Sequence, residues 1–177
     1  MEEVIYKAKK FTLVRKARVV GGRTVWGEYL IHPGAVAVLA LRGGRIVMVR
    51  QFRSAIGEWT LEIPAGTLEG GEDPESAAVR EMIEETGYKP LRLVPLLEFY
   101  PTPGVSNELI RIYFTDRLEY VGVSGRDPGE VDMSVVEVTP GEALRMVESG
   151  EVKDGKTIIA LLAARLRGLL PHHDYAF

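Results

Sequence analysis

Glu81, Glu84 and Glu85 stand at i, i+3 and i+4 of a sequence stretch that runs GTLEGGEDPESAAVREMIEETGY from Gly66 to Tyr88. On a helix these three carboxylates share one side and repel one another. A purely structural surface would intersperse lysines there, and its plain reading is a solvated acidic helix face. A divalent cation removes the repulsion. Carboxylate oxygens joined by a backbone carbonyl from a preceding loop suit a hard ion, so Mg²⁺ or Mn²⁺ is expected rather than Zn²⁺. Such a centre serves pyrophosphate chemistry, because a metal ion neutralises phosphoryl oxygens and activates water.

The local sequence supplies what positions these groups. Gly66, Gly70 and Gly71 permit tight backbone geometry, Asp73 is an N-cap, and Pro74 occupies the first turn. Gly87 follows the last periodic residue as a left-handed C′ glycine, and Pro90 stops continuation. The helix therefore has about three turns. Val79, Met82 and Ile83 are expected on an arc facing the core, with the glutamates on another.

Strands are expected at residues 11–20 and 24–31 around Gly21-Gly22, and at 35–41 and 45–52 around Arg42-Gly43-Gly44. The second pair is almost continuously aliphatic, as in a sheet covered on both faces. Further strands are expected at 61–63, 91–100, 109–115 and 133–138. Two helices close the chain. One opens on the capping box Thr139-Pro140-Gly141-Glu142 and ends at Gly150, and the other spans about 157–169 with Ile158, Ile159, Leu161, Leu162 and Leu166 as a core stripe. The fold class is α+β, a mixed sheet with helices on both sides.

Composition narrows the function. The chain has 177 residues, 46% hydrophobic and 27% charged, the size and make-up of one globular domain. A net charge of −3 provides no basic field for a nucleic-acid backbone. No apolar run is long enough to cross a membrane, the start MEEVIYKAKK lacks a signal-peptide core, and there is no cysteine. A cytoplasmic protein with a small-molecule substrate is expected. The tail PHHDYAF, with His172 and His173, reads as an exposed terminus.

The stretch resembles the Nudix box, G-x5-E-x7-R-E-U-x-E-E-x-G-U, with Gly66, Glu72, Arg80, Glu81, Glu84, Glu85 and Gly87 in register. Met82 and Tyr88 fill its bulky apolar positions, Tyr88 being a mild departure. The resemblance implies an α/β/α sandwich and hydrolysis of a nucleoside diphosphate linked to another moiety. Pro103, fifteen positions after Tyr88, resembles the downstream proline of ADP-ribose pyrophosphatases. The segments Val49-Arg50-Gln51-Phe52-Arg53 and Leu61-Glu62-Ile63-Pro64-Ala65-Gly66 also resemble that group.

Residue by residue, the resemblance implies a metal cage from the Ala65 carbonyl oxygen, Glu81 and Glu85, with Glu84 contributing directly or through water. Arg80 is expected to orient the glutamates, and Arg53 to meet a substrate phosphate. Glu62 is either a hydrogen-bonding partner of adenine or ribose, or half of a structural ion pair. Where that group often has an Arg-Glu pair in its N-terminal arm, this chain has Gly27-Glu28. Glu28 is retained, and Trp26 either stacks on adenine or packs at a dimer interface. The general base is expected in the acidic loop after the box, at Glu130, with Asp132 in reserve.

The implied reaction is Mg²⁺-dependent cleavage of ADP-ribose to AMP and ribose 5-phosphate. Hydrolysis of other nucleotide sugars or nucleotides, and a Nudix-fold sensor that binds ADP-ribose uncleaved, are the alternatives. Residues 1–32 are expected to form a β-hairpin arm that dimerises the chain, leaving 33–177 as the hydrolase domain.

Overall fold

Strand β4 (Ala35–Arg42) supplies side chains to two separate cores, and the rest of the fold follows from that. Val36, Val38 and Ala40 point to one side of the sheet, and Ala37, Leu39 and Leu41 to the other, all buried. The expected two-sided aliphatic strand is therefore present. The computed structural model describes residues 1–125 and 132–171.

The central sheet has seven strands, in the order β12 (Ser134–Val138), β5 (Arg45–Arg53), β4, β10 (Ile110–Thr115), β9 (Val94–Phe99). Two short strands attach to it: β6 (Glu58–Glu62) pairs with β5, and β7 (Ala65–Thr67) with β4. β4 and β5 meet across Gly43-Gly44 with Arg42 opposite Arg45, while β10 runs parallel to β4. The sheet is thus mixed. On β5 and β6, Phe52 faces Trp59 edge-on at 5.8 Å and the Arg50 guanidinium lies 4.3 Å above the indole.

Helix α1 (Pro74–Thr86) covers one face through Ala77, Ala78 and Met82. Helices α2 (Pro140–Glu148) and α3 (Gly155–Leu166) cover the other with Ala143, Leu144, Ala160, Leu161 and Ala164. The N-caps of α1 and α2 form as the sequence requires. Asp73 accepts from the Ser76 amide at 2.9 Å, and Thr139 with Glu142 closes a reciprocal capping box. A two-stranded sheet of β8 (Tyr88–Pro90) and β11 (Leu118–Tyr120) lies beyond α1.

Several sequence expectations need correction. Val79 and Ile83 are only half-buried; the buried arc of α1 passes through Ala78, Met82 and Glu85, rotated toward the carboxylates. On α3, Leu162 and Leu166 face outward, at 45% and 89% exposure, because the small residues Ala160 and Ala164 let the helix sit close to the sheet. The strand expected over 91–100 begins only at Val94, and β8 and β11, too short for a periodic signal, were not anticipated.

The N-terminal hairpin is present as β2 (Thr12–Val20) and β3 (Arg23–Ile31), and β1 (Glu2–Lys7) extends it to a three-stranded antiparallel sheet. Every residue of β1 is exposed, so no burial pattern marks it in the sequence. The arm is stitched to the sandwich at its end. Leu30 donates its amide to Val105 at 2.9 Å, Asn107 returns one to Leu30 at 3.3 Å, and His32 donates to the Asn107 side chain at 2.7 Å.

Candidate active site

Strand β7, the loop after it and the second half of α1 line a cleft of about 1030 Å³. Ala65, Gly66, Arg80, Glu81, Glu84 and Glu85 line it together with Arg53. Most of the expected site residues are therefore brought together in one place. Each is held by a local cause.

Gly66 is required by proximity. A Cβ built there would sit 1.9 Å from the Glu81 carboxyl carbon, so the loop can approach the helix only without a side chain. Gly87 is required by conformation: at φ 75° it caps α1 by donating to Ile83 at 2.9 Å, and a Cβ there would lie 2.9 Å from the Tyr120 ring. Together they fix the rotation of α1 against the loop. Glu85 is 1% exposed and accepts from the Ala65 amide at 3.0 Å, which ties the helix to the residue expected to offer its carbonyl.

Arg80 organises the carboxylates. Its Nε and Nη2 fork onto Glu72, both at 2.9 Å, while Nη1 donates to Glu81 at 2.7 Å and Glu84 at 3.0 Å. The Glu72 hydrogen bonds raise the Arg80 pKa further above its usual value, with Glu81 adding to the effect, and the same bonds hold Glu72 below the usual carboxylate range. Among the described residues no three carboxylates converge with metal-ligand geometry. Glu81 and Glu84 turn to the guanidinium, their nearest cation. The donor set still fits a hard divalent ion by its chemistry: Glu81, Glu84, Glu85 and Ala65 line the same cleft, with the Glu81 carboxyl in the space that a side chain at Gly66 would take.

Arg53 and Glu62 form a bidentate pair, Nε and Nη2 each 2.7 Å from a carboxylate oxygen. Glu62 is 2% exposed and also accepts from Thr60 at 2.6 Å and from Lys156. It is the ion-pair alternative that the geometry displays. Burial acts to raise the Glu62 carboxyl, but the Arg53 hydrogen bonds and the Lys156 charge overcome it and bring the pKa to about 2.

Other expected residues lie elsewhere. Glu28 pairs with Arg15 at 2.8 Å on the arm, Trp26 is about half exposed there, and neither lines the cleft of its own chain. Pro103 lines a second hollow of about 450 Å³ with Tyr29 and Tyr100, between the arm and the sandwich. Asp132 is exposed and off the cleft wall. Glu130, His172 and His173 fall outside the described residues.

Residues that sequence reading did not single out also reach the cleft, notably Lys9, Lys10, Glu108, Asp154 and Lys156. For Lys156 a signal existed. It follows Asp154-Gly155 at the second position of α3, where a cation opposes the helix dipole.

A sandwich with a carboxylate helix packed beneath a glycine loop defines a class of hydrolase fold, and the family comparison agrees. The NUDIX domain model matches residues 30–161, so the chain belongs to the Nudix family and is a pyrophosphohydrolase. It is 39% identical over 171 residues to an ADP-ribose pyrophosphatase of Bacillus subtilis (strain 168), covering 96% of this chain and 92% of that one. It is also 39% identical over 153 residues to a methanol dehydrogenase activator of Bacillus methanolicus, covering 85% and 82%. Among solved structures, the crystal structure of an ADP compounds hydrolase superposes with a TM-score of 0.82 at 19% identity, over 96% of this chain and 93% of that one, a likeness of fold.

Proposed function

We propose that the protein hydrolyses the pyrophosphate bond of ADP-ribose to AMP and ribose 5-phosphate, using Mg²⁺ or Mn²⁺, as a cytoplasmic homodimer. The observation that carries this reading is that Ala65, Glu81, Glu84, Glu85 and Arg53 line one cleft, with space for a dinucleotide-sized ligand. The resemblance to an ADP-ribose pyrophosphatase over nearly the whole chain supports the choice of substrate.

In this reading Glu81, Glu85 and the Ala65 carbonyl hold the metal, and Glu84 contributes directly or through water. When bound, the metal supplies charge neutralisation at the phosphoryl oxygens and an acidified water. Arg80 tethers Glu72, Glu81 and Glu84 and so holds the carboxylates of the box together. Arg53, with its inner edge fixed by Glu62, presents its remaining Nη1 donors to a substrate phosphate. Glu130 is the proposed general base, with Asp132 in reserve.

Residues 1–32 are the proposed dimerisation arm and residues 33–177 the hydrolase domain. Val4, Tyr6, Val19, Val25 and Trp26 of the arm are 42–74% exposed, more apolar surface than a small free sheet usually shows. A partner's arm would cover it and bring Trp26 and Glu28 toward the neighbouring cleft.

The test is a phosphate-release panel with Mg²⁺ across ADP-ribose, ADP-glucose, GDP-mannose, diadenosine polyphosphates and dGTP. ADP-ribose is expected to give the highest kcat/KM. A preference for a triphosphate overturns the substrate assignment.

A further inference from the structure

We propose that Lys156 is a positioning residue of the cleft, fixing the Arg53 guanidinium through Glu62 so that its outer edge stays turned toward substrate phosphate. The proposal rests on the reading of this cleft as a pyrophosphate site.

Lys156 occupies a costly place. Its side chain is 12% exposed and sits in the first turn of α3, where the helix dipole disfavours a cation. A lysine so placed needs compensating carboxylates, and two are present. Nζ donates to Asp154 at 2.9 Å and to Glu62 in a still closer contact. The helix cap does not require it, because Asp154 already accepts from the Thr157 amide at 3.0 Å through its other oxygen. What Lys156 adds is directed at Glu62.

Glu62 has no spare capacity. Arg53 Nε and Nη2, Thr60 Oγ1 and Lys156 Nζ converge on its two oxygens. A carboxylate held from that many directions cannot pivot, so the guanidinium forked onto it cannot pivot either. Arg53 and Lys156 both line the cleft, Arg53 at 42% side-chain exposure and Lys156 at 12%, so the guanidinium is the more open of the two to a ligand. Lys156 is linked to Arg53 by way of the buried carboxylate they share. The base of the arrangement is rigid too: the Ile63 amide donates to Thr157 Oγ1 at 2.9 Å, and Lys153 pairs with Glu58 at 2.8 Å, so α3 is registered against β6 independently. Removing the Lys156 amine therefore loosens Glu62 more than it loosens the helix.

The experiment is a kinetic double-mutant cycle of Lys156→Met and Arg53→Met, each alone and combined, on whichever nucleotide the wild type cleaves best at saturating Mg²⁺. Lys156→Met is expected to raise KM roughly tenfold with a much smaller change in kcat, and Lys156→Arg to recover most of the loss. With Arg53 already removed, Lys156→Met is expected to add nothing. An equal KM increase in the presence and absence of Arg53 overturns the proposal, since Lys156 would then act by itself. So does an unchanged KM with only a lowered melting temperature. Should Lys156→Met not give folded protein, Lys156→Gln, which keeps a hydrogen-bond donor without the charge, reads the same cycle. A poor rate on ADP-ribose overturns the substrate assignment while leaving the positioning role tested on the better substrate.

Discussion

The close approach of Gly66 to Glu81 shows how one missing side chain can decide the placement of a carboxylate. A methyl group at residue 66 would occupy the space of the Glu81 carboxyl, which sits 1.9 Å from the ideal Cβ position. Gly66→Ala is therefore expected to leave a folded chain with Glu81 displaced, and turnover lower by roughly a hundredfold. Steady-state rates beside a thermal melt would check it; near wild-type turnover would refute the placement argument. The identity of these residues is legible in the sequence, because five spaced side chains between two glycines are a pattern that packing alone does not impose. The ties of Lys156 and the saturation of Glu62 are not. The bond between Lys156 and Glu62 joins positions 94 residues apart, and no local periodicity carries such a pairing.

At the scale of elements, the strap from β6 to α3 carries a pH signature. The Glu62 pKa falls from 4.5 to about 2 in the folded chain, so the folded state binds its proton less readily than the unfolded state does. The stabilisation is therefore complete above about pH 4.5 and is lost as pH falls toward 2, with a magnitude on the order of 3 kcal/mol. Urea denaturation at about pH 5 and about pH 2.5 should show a steep loss in the wild type and a shallower one in Glu62→Gln. Parallel slopes in the two proteins would remove Glu62 from the account. The caps of α1 and α2 are legible in the sequence almost to the residue, since Asp73, Thr139 and Gly87 act on their immediate neighbours, whereas α3, capped by Asp154, starts two residues earlier and ends three residues earlier than expected. The outward turn of Leu162 and Leu166 escaped that reading. Which side of an almost wholly apolar helix meets the sheet is decided by how closely Ala160 and Ala164 allow it to approach.

For the whole molecule, the arm and the sandwich are distinct in what they bury. The arm sheet contributes Val14 as its buried apolar residue, whereas the sandwich encloses a core on each face of β4. A chain lacking residues 1–32 is expected to sediment as monomer or aggregate. An unchanged, active dimer from that truncation would refute the arm's role in assembly.

The same division has a spectroscopic consequence. The chain contains two tryptophans, Trp26 on the arm and Trp59 on β6 beneath the Arg50 guanidinium. Replacing either one with phenylalanine leaves a single indole emitting from one known part of the fold. Association of the arm and unfolding of the sandwich thereby become separately visible in one fluorescence cuvette, without attaching a dye.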